Sequence, residues 1–189
     1  MSIKEKIFNW AFKNKLARYN YKNQKLVEDL NEIRIQYEEL QEQHSVIKRM
    51  FKILQCEIIG VETNKDGEEL YIFKRVTESN FDIYLVGNSY QSINTLPRIL
   101  STINIDYETR SKELKIDEIQ MIHNSIGNGE IAMNYFLKES KKLEIKLING
   151  DLSKQDDKNF ARLIPYYEKF KFKVSLNSSR DEGKIRKEL

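Results

Sequence analysis

The sequence predicts an α+β protein in which a long helix precedes a mixed β-sheet. The first observation is that no glycine or proline occurs from Phe12 to Leu54, and apolar residues recur there every seven positions. The second is a change of period from seven to two after Leu54, which is typical of strands. The third is the order of elements, an antiparallel meander followed by β-α-β-α-β. We therefore expect a helical domain over residues 1–54 and a sheet domain over residues 55–189.

Length and composition exclude several classes of protein. The chain has 189 residues, of which 40% are hydrophobic, and its ten Tyr and nine Phe supply enough apolar surface for a core. No run approaches the length of a membrane span, and residues 1–25 lack the apolar core of a signal peptide. One cysteine and two histidines leave little for a disulfide or a zinc site. We expect a soluble cytoplasmic protein without a metal.

Two interleaved apolar series define the long helix as a coiled-coil repeat. Asn23 at an a position favours a parallel dimer, and Asp29 and Arg34 form an attractive g–e pair in that register. A stripe this narrow needs a partner, so we expect a homodimer through residues 12–54. The alternative is that the helix packs along its own globular domain. The d positions are Phe12, Tyr19, Leu26, Ile33, Leu40, Ile47 and Leu54, and the a positions are Leu16, Asn23, Leu30, Tyr37, His44 and Phe51.

Basic residues are concentrated at the start of the chain. The whole sequence has a net charge of +3, whereas residues 1–25 carry seven Lys and Arg against one Glu, a net charge of +6. Ile3, Ile7, Phe8 and Trp10 lie among these lysines. Such a segment suits an anionic membrane or nucleic-acid phosphates, but the sequence by itself favours a solvated helix end. We expect no sequence-specific nucleic-acid binding, because no zinc-finger spacing or RNA-recognition signature is present.

The meander is predicted from alternating apolar residues separated by short turns. Turns at residues 64–67 and 78–80 join the first three strands. Pro97 makes residues 90–98 a connection, since proline is disfavoured in a central strand. The predicted strands cover residues 56–62, 69–75, 81–86, 99–105 and 114–122.

The remaining elements alternate between helix and strand. A helical pattern starts at Gly129, and a short strand over residues 145–148 is ended by Asn149-Gly150-Asp151. We expect the strand at 114–122 to lie parallel to this short strand. A second helix is predicted from residues 156/157 to about 167–169, followed by strands at 171–175 and 184–189.

The loop between the fifth strand and the next helix has the properties of an anion site. Gly127 and Gly129 allow backbone N–H groups to approach an anion, and the helix N-terminus adds a favourable partial charge. No Gly-Lys-Ser/Thr follows, which excludes a Walker loop, and the third glycine of a dinucleotide fingerprint is missing. An ordinary tight turn is an equally consistent interpretation of these two glycines.

This stretch resembles the central motif of the GNAT superfamily of N-acetyltransferases, in which a strand ends in a (Gln/Arg)-x-x-G-x-(G/A) loop. Residues 124–129 match both glycines. The downstream segment is similar too: Asn159 is followed by Tyr167-Glu-Lys169 and Phe172, where the family has Tyr-Glu-Lys-x-Gly-Phe. The resemblance covers about residues 56–189 and is strongest over 114–174.

The resemblance implies acetyl-CoA as co-substrate and an amine of unknown identity as acceptor. It implies that Tyr167 is the general acid that protonates the departing CoA thiolate, and that Asn159 hydrogen-bonds the pantetheine arm. His123 is the nearest candidate for the general base. The cofactor-binding residues implied are Ile122, Asn124, Ser125, Ile126, Gly127, Asn128, Gly129, Glu130 and Asn159.

Several departures from the family pattern bear on activity. The loop lacks the family's usual basic side chain because Asn124 replaces Gln/Arg. Glu130 adds a carboxylate beside the loop, and Lys171 stands where the family has Gly. Only the turn at 64–67 lies where the family has two helices that help to form the acceptor site. The resemblance predicts an acetyl-CoA-dependent N-acetyltransferase, and these departures support the alternative of a weakly active or inactive GNAT-fold interaction protein that binds a partner through the coiled coil.

Overall fold

The heptad stretch forms one α-helix, α1, which spans Ile3–Lys52 in the computed structural model of the chain. The helix begins before the first heptad position, Phe12, because the basic segment is also free of glycine and proline. The structure describes residues 2–52, 54–90, 92–106, 111–122 and 125–189.

The chain divides into two compact units, Met1–Glu42 and Gln43–Leu189. In the first unit the apolar heptad side chains of α1, such as Leu26 and Ile33, are exposed. In the second unit the last turns of α1 belong to the core, where Val46 and Met50 are buried. The boundary predicted between residues 54 and 55 rests on a change of sequence period, and it stays a prediction.

The second unit contains one eight-stranded mixed sheet with the order β1-β2-β3-β4-β5-β6-β8-β7. Strands β1 to β5 form the predicted antiparallel meander, β5 and β6 are parallel as predicted, and β8 is antiparallel to both β6 and β7. The expected α+β class with a mixed sheet is therefore confirmed. The strands are β1 Glu57–Thr63, β2 Glu69–Val76, β3 Phe81–Val86, β4 Arg98–Asp106, β5 Ser111–Gln120, β6 Ile145–Leu152, β7 Lys173–Leu176 and β8 Gly183–Glu188.

Two further α-helices, α2 (Asn128–Lys142) and α3 (Phe160–Lys169), follow β5 and β6. Helix α2 packs on one face of the sheet, where Phe136 stacks on Phe81 of β3 with ring centroids 5.1 Å apart. The end of α1 covers the opposite face of the neighbouring strands, since Phe51 packs edge-on against Phe73 of β2 at 5.5 Å. Strand β3 is buried along its whole length as a result.

The structure corrects two details of the predicted second half. Strand β6 continues to Leu152, although Asn149-Gly150-Asp151 was expected to end it after residue 148. Gly150 pairs with Ile185 of β8 there, and a Cβ on this glycine would lie 3.1 Å from the Ile185 side chain. Two short 3-10 helices occur as well, Ile93–Thr95 before β4 and Lys154–Asn159 before α3, so α3 begins later than predicted.

Candidate functional site

The candidate site lies where the two parallel strands separate. Pairing between β5 and β6 ends at Ile116 and Gly150, but both strands continue. Beyond that point β5 remains paired with β4 up to Gln120, whereas β6 remains paired with β8 up to Leu152. The sheet therefore opens into a cleft between β5 and β6 at the end where α2 begins.

The loop that enters α2 has a tight backbone conformation at Gly127. Gly127 adopts the left-handed conformation with φ 92°, which favours glycine, and it forms the N-cap of the helix. Its carbonyl accepts hydrogen bonds from the amides of Glu130 at 3.0 Å and Ile131 at 3.1 Å. Asn128 and Gly129 occupy the first turn, where backbone N–H groups have no intrahelical acceptor. The geometry is that of an anion-binding helix N-terminus.

The turn between β1 and β2 packs directly on this loop. The amide of Lys65 donates a hydrogen bond to the carbonyl of Ile126 at 2.9 Å. Asn64 stabilises the turn itself, because its Oδ1 accepts from the amides of Asp66 and Glu68 at 3.0 Å. The short turn between β1 and β2 is thus in direct contact with the loop before α2.

A buried hydrogen-bond network fixes the first residue of α2. The side chain of Asn128 is almost fully buried, accepts from the Asn64 side chain at 3.2 Å and donates to the hydroxyl of Tyr90. Burial, with a smaller contribution from Glu68, raises the pKa of Tyr90 to about 12, so its hydroxyl stays protonated at neutral pH. The loop is held in place by side chains from three separate parts of the chain.

A cavity of about 480 Å³ occupies the cleft. Its walls combine apolar side chains, the glycine loop and charged groups. The lining residues are Lys65, Ile119, Gln120, Met121, Ser125, Gly127, Asn128, Gly129, Glu130, Arg162, Leu163, Tyr166, Lys169 and Phe170.

Three cationic side chains, Lys65, Arg162 and Lys169, line the cavity against one carboxylate, Glu130. The positive charge that the loop itself lacks is supplied by the β1–β2 turn and by α3. Lys169 pairs with Glu130 at 2.7 Å, and this hydrogen bond lowers the pKa of Glu130. The carboxylate is therefore partly neutralised, and the cavity keeps an excess of positive charge.

Tyr166 connects α3 to the glycine loop. Its hydroxyl donates to the carbonyl of Gly129 at 2.8 Å, and a Cβ on Gly129 would lie 3.3 Å from the tyrosine ring. Burial, followed by the neighbouring Tyr167 and Glu130, raises the pKa of the Tyr166 hydroxyl. A side chain at residue 129 would therefore crowd the Tyr166 ring.

Gln120 contributes an amide side chain to the residues around the cavity. It is the last residue of β5 and lines the cavity. Its Oε1 is buried without a hydrogen-bond partner among the residues that the structure describes. Because such an atom carries a desolvation cost, a ligand N–H donor would be favoured there.

Tyr167 and Asn159 lie outside this cavity lining. Tyr167 is buried, with its ring edge-on to Phe172 at 5.6 Å, and burial followed by Asp156 raises its pKa to about 12. Asn159 is exposed at the N-cap of α3. Their implied catalytic and pantetheine-binding roles stay predictions.

Five of the residues proposed for the cofactor line the cavity: Ser125, Gly127, Asn128, Gly129 and Glu130. Ile126 contributes its carbonyl to the contact with the β1–β2 turn, and Ile122 is partly exposed beside the loop. His123, the candidate base, and Asn124 lie outside the described residues.

Sequence reasoning missed the contributions of α3 and of the β1–β2 turn. The α3 residues have a recognisable signal, because Arg162, Leu163, Tyr166, Lys169 and Phe170 follow the spacing of one helix face. Lys65 has no such signal, since its position depends on a contact between distant parts of the chain.

The residues that the structure describes contain neither a candidate metal site nor a candidate membrane span. No group of three or more His, Cys, Asp or Glu side chains there has the arrangement of a metal site. None of the helices in this part of the chain combines the length and apolar character needed to cross a membrane.

The fold resembles that of a solved GNAT domain. The GNAT domain of PAT from S. lividans superposes with a TM-score of 0.50 at 7% identity, covering 69% of this chain and 96% of that domain. Arabidopsis thaliana Naa50, solved with a CoA-containing bisubstrate analogue, gives a TM-score of 0.45 at 16% identity over 57% of this chain and 72% of that chain. The chain has the GNAT fold.

Sequence comparison identifies a relative that matches most of the chain. The protein YocC of Bacillus subtilis, itself uncharacterised, is 25% identical over 163 residues, which is 86% of this chain and 92% of YocC. No protein-family model matches the chain.

Proposed function

We propose that the chain is an acetyltransferase that binds acetyl-CoA in the cavity between β5 and β6 and transfers the acetyl group to an amine. One observation carries the proposal: at the point where the parallel strands separate, a glycine loop at a helix N-terminus meets three cationic side chains and an apolar wall. Each component suits one part of acetyl-CoA. The loop and the cationic side chains suit the phosphates, and the apolar wall suits the pantetheine chain.

The cavity residues divide into two groups under this proposal. The amides of Asn128 and Gly129, with Lys65 and Arg162, would hold the pyrophosphate. Ile119 and Met121 would line the path of the pantetheine arm, and the unpaired Oε1 of Gln120 would accept from one of its amide N–H groups. The apolar wall excludes water from the thioester.

In the proposed reaction the amine nitrogen attacks the thioester carbonyl carbon, a C–N bond forms and the C–S bond breaks. The amine loses a proton to a base, for which His123 is the candidate, and the CoA thiolate gains a proton from Tyr167. A tyrosine whose pKa is raised to about 12 is protonated at neutral pH, as a general acid must be. Positioning of the two substrates supplies the remainder of the catalysis.

Calorimetric titration of the full chain with acetyl-CoA tests the proposal. We expect one binding site per chain, and we expect Arg162→Glu to weaken binding because it reverses a charge in the cavity. Arg186→Glu, the same change on β8 outside the cavity lining, should leave binding unchanged. Absence of binding by the unmodified protein at millimolar acetyl-CoA would contradict the proposal.

A second candidate function is that of a GNAT-fold interaction protein with weak or no turnover. The observation in its favour is that Tyr167 and Asn159 do not line the cavity. The two functions differ in the effect of Tyr167→Phe on an acetylation assay that measures release of free CoA thiol with a panel of amines. A large loss of turnover supports the enzyme, whereas binding of acetyl-CoA without turnover supports the interaction protein.

We also propose that α1 forms a parallel homodimer. The a and d side chains from residue 12 to residue 40 are exposed in the single chain, and an apolar stripe of this length is stabilised when a second copy covers it. In the last turns of α1 the buried residues Val46 and Met50 occupy other heptad positions, whereas the a residue Phe51 packs against Phe73 of β2. The exposed stripe that supports the proposed dimer is therefore the part from residue 12 to residue 40.

A further inference from the structure

The first turns of α1 carry a second apolar face that the heptad stripe does not include. Ile3, Ile7 and Trp10 are spaced four and three residues apart, so their side chains project from the same side of the helix. All three are largely exposed, at 78%, 62% and 68%. An exposed cluster of a tryptophan and two isoleucines is a recognised mark of an interaction surface.

A coiled-coil dimer would leave this face uncovered. If the heptad is continued backwards from Phe12, the a and d positions fall on Asn9 and Glu5, which are polar. The seam therefore ends at Phe12, and a second copy of α1 does not account for Ile3, Ile7 and Trp10. Their partner must be something other than the paired helix.

The surrounding charge identifies the chemistry of that partner. Residues 1–25 carry seven Lys and Arg against one Glu, a net charge of +6. Basic side chains beside an apolar face with tryptophan are typical of helices that lie in the headgroup region of an anionic bilayer. Phosphates of nucleic acids would satisfy the lysines, but they offer no apolar environment to the isoleucines.

We infer that residues 3–25 of α1 dock the protein on an anionic lipid surface. Ile3, Ile7 and Trp10 enter the boundary between headgroups and acyl chains, and the lysines contact the lipid phosphates. The docking is peripheral and reversible, because the apolar face is short and each basic residue contributes modestly. This inference does not depend on the proposed acetyltransferase function.

The protein contains a built-in reporter for the test, since Trp10 is its one tryptophan. Full-length protein is titrated with vesicles of phosphatidylcholine and phosphatidylserine, and separately with vesicles of phosphatidylcholine alone. We expect a blue shift of tryptophan emission and co-sedimentation with the anionic vesicles only, and we expect both to weaken as salt is added. Absence of a shift with anionic vesicles would overturn the inference.

Matched variants assign the effect to this face. Ile7→Ser should weaken partitioning into anionic vesicles roughly tenfold, whereas Ile35→Ser, which changes a similarly exposed residue of α1 at 57%, should not. Lys13→Gln should weaken it roughly fivefold. Equal loss in the Ile7 and Ile35 variants, or salt-sensitive binding to duplex DNA without binding to vesicles, would also overturn the inference. Circular dichroism of each variant checks that α1 remains helical.

Discussion

The main-chain amide of Lys65 donates a hydrogen bond to the carbonyl of Ile126 at 2.9 Å, which joins the β1–β2 turn to the loop before α2. The aliphatic part of the Lys65 side chain lies beside Gly127, at 3.3 Å from the position that a Cβ on this glycine would take. The short connection between β1 and β2 brings a lysine to the loop before α2. A cation missing from the loop sequence is thus supplied from elsewhere in the chain.

We predict that Lys65→Ala weakens binding of acetyl-CoA roughly fivefold to tenfold at low salt. The side chain is exposed, so its contribution should fall as ionic strength rises. The backbone hydrogen bond to Ile126 does not need the side chain and should survive the substitution. Calorimetric titration at two salt concentrations measures the effect.

The control for the lysine variant is Lys146→Ala, which removes the same charge from an exposed position of β6 outside the cavity lining. Pantetheine, which lacks the phosphates, should bind the original protein and Lys65→Ala equally. A variant that loses affinity for pantetheine and acetyl-CoA to the same extent would contradict a role of Lys65 in phosphate binding.

Much of the fold could be predicted from local sequence pattern. The heptad repeat, the alternation in the meander and the two glycines before α2 each depend on residues close together in the chain. The error at β6 has a physical reason: Asn149-Gly150-Asp151 has the composition of a turn, but these residues pair with β8, and Ile185 packs closely against Gly150 there. Local composition does not reveal such a tertiary requirement.

Only part of the candidate site could be predicted from the sequence. The loop at residues 125–130 was recognisable because its chemistry is contiguous. Lys65 and Gln120 reach the cavity through strand pairing and a long-range backbone hydrogen bond, which no short motif records. Tyr166 lines the cavity from α3 and bonds to the Gly129 carbonyl, a contact between residues 37 positions apart.

We predict that Asn128→Ala destabilises the protein by about 1–3 kcal/mol, because it leaves the buried side chains of Asn64 and Tyr90 without a shared partner. Urea denaturation of the full chain measures the loss. Tyr90→Phe removes the hydroxyl that accepts the hydrogen bond from the Asn128 side chain. In a double-mutant cycle the two substitutions should couple by about 1 kcal/mol, and strictly additive losses would show that the bond does not contribute.

We predict that stability falls as pH rises above about 10. Burial, with the nearby carboxylates, raises the pKa values of Tyr84, Tyr90 and Tyr167 to about 12. Between about pH 10 and about pH 12 the unfolded chain releases tyrosine protons that the folded chain retains, so rising pH favours the unfolded state. The stabilisation that these protonated tyrosines contribute is complete below their pKa in the unfolded chain, and it is lost as pH rises through their pKa in the folded chain. Urea denaturation at several values from about pH 8 to about pH 11 measures how steeply the free energy of unfolding depends on pH.

The same titration tests the environment of the proposed general acid. Tyr167→Phe should make the alkaline loss of stability shallower by about 1.4 kcal/mol per pH unit, the contribution of one proton. Tyr19→Phe, which changes an exposed tyrosine of α1, is the matched control. An unchanged slope in Tyr167→Phe would mean that this hydroxyl is not held protonated by burial.

We predict that Leu30→Glu converts the protein from dimer to monomer, because it places a charge at an a position in the middle of the seam. Ile35→Glu introduces the same charge on another side of α1 and should leave the dimer intact. The two side chains are equally exposed in the single chain, at 58% and 57%, so loss of exposed apolar surface is matched. Sedimentation velocity of the full-length variants distinguishes the outcomes. Dissociation of both variants would show that α1 associates without the predicted register, and a monomeric original protein would contradict the dimer itself.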